Sequence, residues 1–238
     1  MERIQQPGHF CPAACHANCH CHVSGSDKGS RVKIYWIKAQ APRKVLALAK
    51  HLGIAADFVE VDAKAGGLRT QAYTRLNPNQ KAPTMVDGDT VLWEASAIMA
   101  YLCIKAGSDM WPAHRPSEQV DVLRWLSWND CHWSPAVGPF YFEHIVKATF
   151  GIGPPDRESL KSAIPDLLRY GAVLDAHLAE RAYVARGRLT IADFQLASMA
   201  TYWQESEMPL ESLPNIVRWI DGLVRIPAWA DPWPADGG

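Results

Sequence analysis

Two β-prone segments near the start of the chain are separated by a segment with helical periodicity. The first is VKIYWI, from Val32, and the second is ADFVEVDA, from Ala56. The intervening RKVLALAKHLG follows Pro42, which suits a first helical turn, and it stops at Gly53, a common C-terminal signal. Neighbouring strands joined by a helix form a right-handed parallel unit. The pattern therefore predicts a β-α-β unit.

A second pair of β-prone segments surrounds the dipeptide Asp87-Gly88. The segments APTMV and TVLW have the composition of strands, and Asp-Gly favours a tight antiparallel turn between them. A weaker helical pattern at 68–75 precedes this hairpin, and the helical segment ASAIMAYLCIKAG follows it. Together these segments predict a mixed α/β domain with the element order βαβαββα at residues 32–107.

Helical patterns alone follow Gly107. Residues 108–115 form a polar connector marked by Pro112, which is typical of a boundary between domains. Helical periodicity recurs at 117–133, 155–180, 190–203 and 213–223, and a turn is expected around Pro135, Gly138 and Pro139. We therefore predict a linker at residues 108–115 and an all-α domain at residues 116–238.

Charge and hydropathy exclude several classes of protein. The 238 residues carry a formal net charge of −1, and no basic stripe interleaved with aromatic residues indicates a nucleic-acid partner. No apolar run approaches the ~18 residues that a membrane-spanning helix needs. The N-terminus lacks the apolar core of a secretory signal. Beyond the N-terminal cluster the cysteines are Cys103 and Cys131, which favours a reducing, cytoplasmic compartment.

Residues 1–31 contain four cysteines together with His16, His20 and His22. Thiolate and imidazole groups can bind zinc or copper. These residues are spaced more tightly than in a zinc finger, and no apolar pattern surrounds them. We therefore expect a disordered leader, with a metal-binding segment as the alternative.

Two features near the hairpin indicate a ligand site. Ala82-Pro83 precedes a predicted edge strand, where the backbone of Ala82 can pair with an extended peptide. Glu94-Ala95-Ser96 lies at a predicted helix N-terminus, whose free N–H groups favour a carboxylate, and Glu94 can hold an ammonium group. These groups together suit a γ-glutamyl peptide. The alternative for Glu94 and Ser96 is ordinary helix capping.

Three segments resemble motifs of the cytosolic glutathione transferases: NPNQKAPTM, WEASAIMAYL and LTIADFQLAS. In the third, Thr190 and Asp193 have the spacing of a capping box. The resemblance extends from about Val32 to Trp229. It implies an N-terminal thioredoxin-like domain followed by an all-helical glutathione-transferase domain. It also implies a homodimer and no metal.

The same resemblance implies individual roles in glutathione binding. The backbone of Ala82, beside Pro83, pairs with the cysteinyl part of glutathione, and Lys81 approaches the peptide. Glu94 binds the γ-glutamyl end. The family usually has serine where this chain has Ala95, so the N–H is kept while the hydroxyl is lost, and Ser96 is the substitute.

A transferase must stabilise the thiolate of glutathione, because a free thiol has a pKa of ~8.5. The family uses a tyrosine at the end of the first strand, or a serine or cysteine before the first helix. The resemblance places Tyr35 at the first position and Ala39, which has no side-chain donor, at the second. We therefore predict that Tyr35 is catalytic, with strand packing as the alternative. Lys38 is a candidate for the glycyl carboxylate or for positive potential.

The acceptor substrate is expected to bind between the domains. Four residues share one face of the first helix of the second domain: Trp125, Trp128, Asn129 and His132. An aromatic stripe of this kind also occurs in protein cores. The two polar members favour a partly open cleft over a sealed core.

The resemblance therefore implies a glutathione S-transferase that activates the glutathione thiol for attack on a small hydrophobic electrophile. Glutathione is the co-substrate, and no nucleic acid or membrane is expected as a partner. The alternatives are a glutathione-dependent isomerase, dehalogenase or peroxidase on the same fold. A non-catalytic binding module is a further alternative, because Ala39 and Ala95 lack hydroxyl groups.

Overall fold

A computed structural model describes residues 31–234, so the Cys/His cluster lies outside the described residues. The described chain forms four strands: β1 (Val32–Trp36), β2 (Ala56–Glu60), β3 (Thr84–Asp87) and β4 (Thr90–Trp93). Its α-helices are α1 (Gln40–His51), α2 (Gln71–Leu76), α3 (Ala95–Ala106), α4 (Pro116–Trp128), α5 (Ser134–Tyr141), α6 (Lys147–Phe150), α7 (Arg157–Leu178), α8 (Ile191–Ala200), α9 (Pro214–Val224) and α10 (Pro227–Ala230). None of these helices is long and apolar enough to cross a membrane.

The four strands form one sheet in the order β2-β1-β3-β4. Strands β1 and β2 are parallel, and β3 runs antiparallel to both β1 and β4. Asp87 pairs with Thr90 across the tight turn at Gly88, where φ is 57°. The predicted thioredoxin-like fold is therefore confirmed. The expectation that β3 is an edge strand is wrong, because β1 and β4 bond both of its sides; Pro83 is tolerated because it precedes the ladder.

The two faces of the sheet have different partners. Val32 and Ile34 point from β1 into the main core, together with apolar residues of α1 and α3. The alternate residue Tyr35 points to the other face, where its ring lies edge-on to that of Tyr73 of α2, with centroids 5.9 Å apart. The alternation of a β-strand therefore separates Tyr35 from the α1 side of the sheet.

The second domain consists of helices, as predicted, but the turn expected around Pro135 to Pro139 is wrong. The chain stays helical from α4 to α6 through two π-helical segments, Asn129–Trp133 and Phe142–Val146. The first segment ends with a hydrogen bond from the Ser134 N–H to the Asn129 carbonyl oxygen. The next residue is Pro135, which has no N–H to donate, so the widened turn accommodates it.

The predicted capping box at the start of α8 is confirmed. Asp193 is fully buried and accepts the Thr190 N–H at 2.9 Å, the Val184 N–H at 2.8 Å and the Trp219 Nε1–H at 3.0 Å. Burial raises the pKa of the Asp193 carboxyl to about 6, although these hydrogen bonds oppose the shift. Asp193 therefore ties the start of α8 to a neighbouring loop and to α9.

Helix α1 makes side-chain contacts with residues that lie more than 150 positions later in the sequence. The Ser198 hydroxyl of α8 lies 2.8 Å from the Gln40 carbonyl oxygen and 2.9 Å from its Oε1. The Arg43 guanidinium donates to the Trp229 carbonyl oxygen at 2.6 Å and lies 4.3 Å from the centre of that residue's ring. These contacts join the first turns of α1 to the helical domain.

Candidate functional site

A groove with a volume of about 230 Å³ lies where α1, the loop before β3, the start of α3 and the helical domain meet. Six of the residues predicted to bind glutathione line it: Lys81, Ala82, Pro83, Glu94, Ala95 and Ser96. The folding of the chain therefore brings together the two sequence motifs around the hairpin.

Asn77 shapes the loop that carries Ala82. Its side chain is buried, and its Nδ2 donates to the Lys81 carbonyl oxygen at 2.7 Å and to the Thr84 hydroxyl at 3.1 Å. Its Oδ1 accepts the backbone N–H of Asn79 at 3.0 Å. The Tyr73 hydroxyl donates to the same Lys81 carbonyl oxygen at 2.8 Å. The loop is therefore fixed from within, and it ends in the cis Ala82-Pro83 bond.

Glu94 immediately precedes α3 and has an unusual backbone conformation, with φ 70° and ψ 118°. Its side chain makes no capping hydrogen bond, although it stands at the capping position. Strained backbone of this kind concentrates at functional sites. Helix capping therefore does not explain the strained conformation of Glu94. A ligand in the groove would use both the Glu94 carboxylate and the free N–H groups of Ala95 and Ser96.

Lys44 of α1 is a charged residue in the wall of this groove, and it is 5% exposed. Within residues 31–234 it has no hydrogen bond and no ion pair. Burial lowers the pKa of its ammonium group to about 8, and attraction to the Asp130 and Glu94 carboxylates opposes the shift. The groove therefore contains a desolvated cation without a direct partner.

The helical domain contributes Asp130, Ser134 and Gln195 to the groove. Asp130 Oδ1 accepts the Asn129 Nδ2 at 2.9 Å and the Gln195 Nε2 at 3.1 Å. The Oε1 of Gln195 is buried and has no partner among the described residues. An acceptor left free in this position suits a ligand that donates hydrogen bonds, as an amide or ammonium group does.

Tyr35 and Lys38 lie outside this groove. Tyr35 lines a separate cavity on the α2 side of the sheet, together with Tyr73. Lys38 borders a cavity of about 540 Å³ and stands 6.0 Å from the centre of the Trp233 ring. The catalytic role of Tyr35 stays a prediction, and the geometry places its ring away from the predicted peptide-binding residues.

The predicted acceptor residues pack mainly against α7. The ring centre of Trp125 lies 4.5 Å from that of His177, and His132 stacks on Tyr170 at 4.9 Å. Trp128 lies between them, 5.3 Å from Trp125. Asn129 is buried beside Asp130. None of the four lines the groove formed by the described residues. The rings of Trp125, Trp128 and His132 contact α7, whereas Asp130 and Ser134 line the groove beside α1.

Sequence reasoning missed several residues of the groove, and one of them carried a signal. Lys44 lies in the helix QAPRKVLALAKH, which contains no acidic residue to pair with it. Every residue from Pro42 to Ala49 is buried, so a lysine there needs a partner from elsewhere. Asn77, Asp130 and Gln195 had no comparable local signal.

The fold and the groove define a two-domain class, in which a thioredoxin-like domain and a helical domain enclose a polar ligand site. Comparison with known proteins gives the same class. The family model for the glutathione S-transferase N-terminal domain matches residues 32–103, and that for the C-terminal domain matches residues 130–227.

Individual relatives agree with the family models. Glutathione S-transferase 3 of Zea mays is 28% identical over 194 residues, which cover 78% of this chain and 85% of that protein. Glutathione S-transferase 2 of Anopheles gambiae is 30% identical over 174 residues, which cover 70% of this chain and 78% of that protein. The theta class glutathione S-transferase of Xanthomonas axonopodis pv. citri, solved with glutathione bound, has a TM-score of 0.73 and 30% identity, covering 83% of this chain and 94% of that one. The chain belongs to the glutathione S-transferase family.

Proposed function

We propose that this protein is a glutathione S-transferase that binds glutathione in the groove and activates its thiol for attack on a small hydrophobic electrophile. The observation that carries the proposal is the convergence of Ala82, Glu94 and the start of α3 on one groove. These are the groups that an extended γ-glutamyl peptide requires. Relatives of the family bear the name of this activity.

Polar groups of the groove suit the γ-glutamyl and cysteinyl parts of glutathione. The backbone of Ala82 pairs with the cysteinyl residue, and the N–H groups of Ala95 and Ser96 receive the α-carboxylate. Glu94 and the free Oε1 of Gln195 accept the α-ammonium group. Lys81, on the loop beside Ala82, approaches the peptide. Both charged groups of the γ-glutamyl end thus meet an opposite charge or a free hydrogen-bonding group.

We place the electrophile in the cavity of about 540 Å³ bordered by Ile37, Val61 and Phe150. Ile37, which borders this cavity, is three residues before Gln40, which lines the proposed glutathione groove. The apolar side chains of the cavity suit a hydrophobic acceptor. The acceptor site predicted from the sequence, at Trp125, Trp128, Asn129 and His132, is less well supported, since its three rings pack against α7.

A homodimer is supported by exposed apolar side chains on two elements. Val91 and Trp93 of the edge strand β4 are 39% and 40% exposed. On α4, Val120 and Leu123 share a helical face and are 64% and 51% exposed. Exposed apolar surface of this kind favours burial in an interface. Light scattering should give twice the monomer mass for the wild type and the monomer mass for Leu123→Glu.

Cytoplasmic location is supported by Cys103 and Cys131, both of which are free thiols in the structure. Such thiols persist in a reducing compartment. The cysteines of the N-terminal cluster lie outside the described residues, so this support concerns residues 31–234.

Binding and turnover test the proposal directly. Wild-type protein should be retained on immobilised glutathione, give a calorimetric signal with free glutathione and conjugate glutathione to an activated aryl chloride. Glu94→Ala should weaken binding by roughly 10- to 150-fold, because it removes a charged contact worth about 1.5–3 kcal/mol. A wild type that neither binds nor turns over would refute the proposal.

A second candidate function is a non-catalytic glutathione-binding module. It is favoured by Ala39, which precedes α1 and carries no hydroxyl to stabilise a thiolate. Binding without turnover on aryl chlorides, alkyl halides and organic peroxides would support this candidate. Turnover on a halide or a peroxide alone would identify the dehalogenase or peroxidase alternative.

A further inference from the structure

Lys44 is buried, charged at neutral pH and without a direct partner within the described chain. A buried charge is costly unless a group of opposite charge compensates it. The side chain lines the groove, so a ligand bound there can provide that group. Lys44 therefore indicates that the ligand presents an anionic group to α1.

The charged groups around Lys44 come from three other elements of the groove. Glu94 precedes α3, Asp130 follows α4, and Lys81 lies on the loop before β3. The helical domain adds the neutral amide of Gln195 from α8. The two carboxylates attract Lys44 without forming an ion pair with it. When Glu94 binds the ammonium of glutathione, its attraction for Lys44 is partly neutralised, and an anion beside Lys44 becomes more favourable.

The proposed binding mode places the α-carboxylate away from Lys44, which leaves the thiolate and the glycyl carboxylate as the anions that can face it. The α-carboxylate lies at the start of α3, and the cysteinyl backbone lies along Ala82. The cysteine side chain must then project away from Ala82 toward the remaining wall, which includes α1. Side chains of a helix lean toward its N-terminus, so the Lys44 chain reaches back toward the first turn at Gln40.

Two other side chains of α1 line the groove, and neither carries a charge. Ala41 presents a methyl group, and Gln40 has a neutral amide whose Oε1 lies 2.9 Å from the Ser198 hydroxyl. Ala39, at the N-cap, has no side-chain donor. Lys44 is therefore the group on this wall with a charge opposite to that of a thiolate.

Resting on the proposed function, we propose that the ammonium group of Lys44 holds the glutathione thiolate and replaces the hydroxyl that is missing at Ala39. On ionisation the S–H bond breaks, the electron pair stays on sulfur and the proton passes to solvent. The thiolate then attacks the electrophile and displaces its leaving group. No oxidant or reductant is needed.

Lys44→Met tests this role, because methionine fills a similar volume without charge. The apparent pKa of the bound thiol, read from thiolate absorbance, should rise by at least about one unit, and turnover should fall by about ten- to a hundredfold. Lys44→Arg should keep a lowered thiol pKa. Lys33→Met removes an exposed lysine of β1 and should change neither quantity. A thermal melt of each variant checks that it is folded.

Binding of S-methylglutathione separates this role from that of a carboxylate receptor. That ligand has both carboxylates and no ionisable thiol, so wild type and Lys44→Met should bind it within about twofold of each other. A large loss of S-methylglutathione affinity with an unchanged thiol pKa would overturn the proposal, as would unchanged thiol pKa and turnover in Lys44→Met. Failure of the wild type to bind either ligand would instead refute the proposed function, and the role of Lys44 with it.

Discussion

The side-chain amide of Asn77 lies 2.7 Å from the carbonyl oxygen of Lys81 and so fixes the loop that presents Ala82 to the groove. Asn77→Ala should release that loop and weaken glutathione binding by roughly tenfold, since a buried hydrogen-bonding group loses a partner at a cost of about 1–3 kcal/mol. Calorimetric titration measures the change. Gln80→Asn, in the same loop, should leave affinity unchanged, and equal losses in both variants would contradict this role.

Lys44→Met should stabilise the protein without ligand. Because burial lowers the pKa of Lys44 from 10.5 to about 8, the folded protein binds fewer protons than the unfolded chain between these values. Burial of the charged Lys44 therefore lowers the free energy of unfolding of the wild type at pH 7. That free energy rises as the pH increases from about 8 to 10.5. Methionine removes this cost of burial, so Lys44→Met should gain up to about 3 kcal/mol at pH 7.

Urea unfolding at pH 7 and at pH 10 measures this difference. The advantage of Lys44→Met should shrink at the higher pH, where Lys44 is neutral in the folded wild type. Lys33→Met should show no advantage at either pH. A Lys44→Met variant less stable than the wild type at pH 7 would mean that the attraction to Asp130 and Glu94 outweighs the cost of burial.

Tyr35→Phe distinguishes the tyrosine prediction from the proposed role of Lys44. The ring of Tyr35 packs against Tyr73 on the α2 side of the sheet, and phenylalanine preserves that packing. Turnover should therefore change by less than about twofold, and the pKa of the bound thiol should change by less than about 0.3 unit. A ten- to hundredfold loss of turnover with a raised thiol pKa would show that Tyr35 activates the thiol after all.

Asp193→Ala should severely destabilise the helical domain. The substitution leaves four buried donors without this acceptor: the N–H groups of Val184 and Thr190, the Thr190 hydroxyl and the Nε1–H of Trp219. Each unsatisfied donor costs about 1–3 kcal/mol, so the free energy of unfolding should fall by at least about 3 kcal/mol. Chemical denaturation measures it. Asp231→Ala, which breaks an exposed ion pair with Lys50, should cost no more than about 1 kcal/mol.

Local signals explain which parts of the fold the sequence predicts. The Asp87-Gly88 turn, the Gly53 helix stop and the Thr190-Asp193 capping box each depend on residues within a few positions of one another. The helix through Pro135 could not be predicted in this way, because a proline cluster normally ends a helix. The π-helical turn that accommodates it packs against α7 and α8, which lie far from it in the sequence.

The half of the groove proposed to bind glutathione was predicted because both of its motifs flank one hairpin. Asp130 and Gln195 reach the groove from the helical domain, and their patterns are those of ordinary helices. The predicted face of α4 contained Trp125 and His132, whose spacing gave no indication of whether α7 or α1 would cover them. A helix face shared by several aromatic residues predicts that the face is buried, but it does not predict which helix covers it.

The hold of the helical domain on α1 has a consequence for engineering chimeric enzymes. Gln40 and Arg43 depend on Ser198 and Trp229, so a first domain transplanted from a relative would meet α8 and α10 residues that evolved with another α1. A chimera joined at the linker should express as a folded hybrid in which the wall proposed to bind the thiol is misaligned. Exchanging the matching α8 and α10 positions together with the first domain is the design that keeps this wall intact.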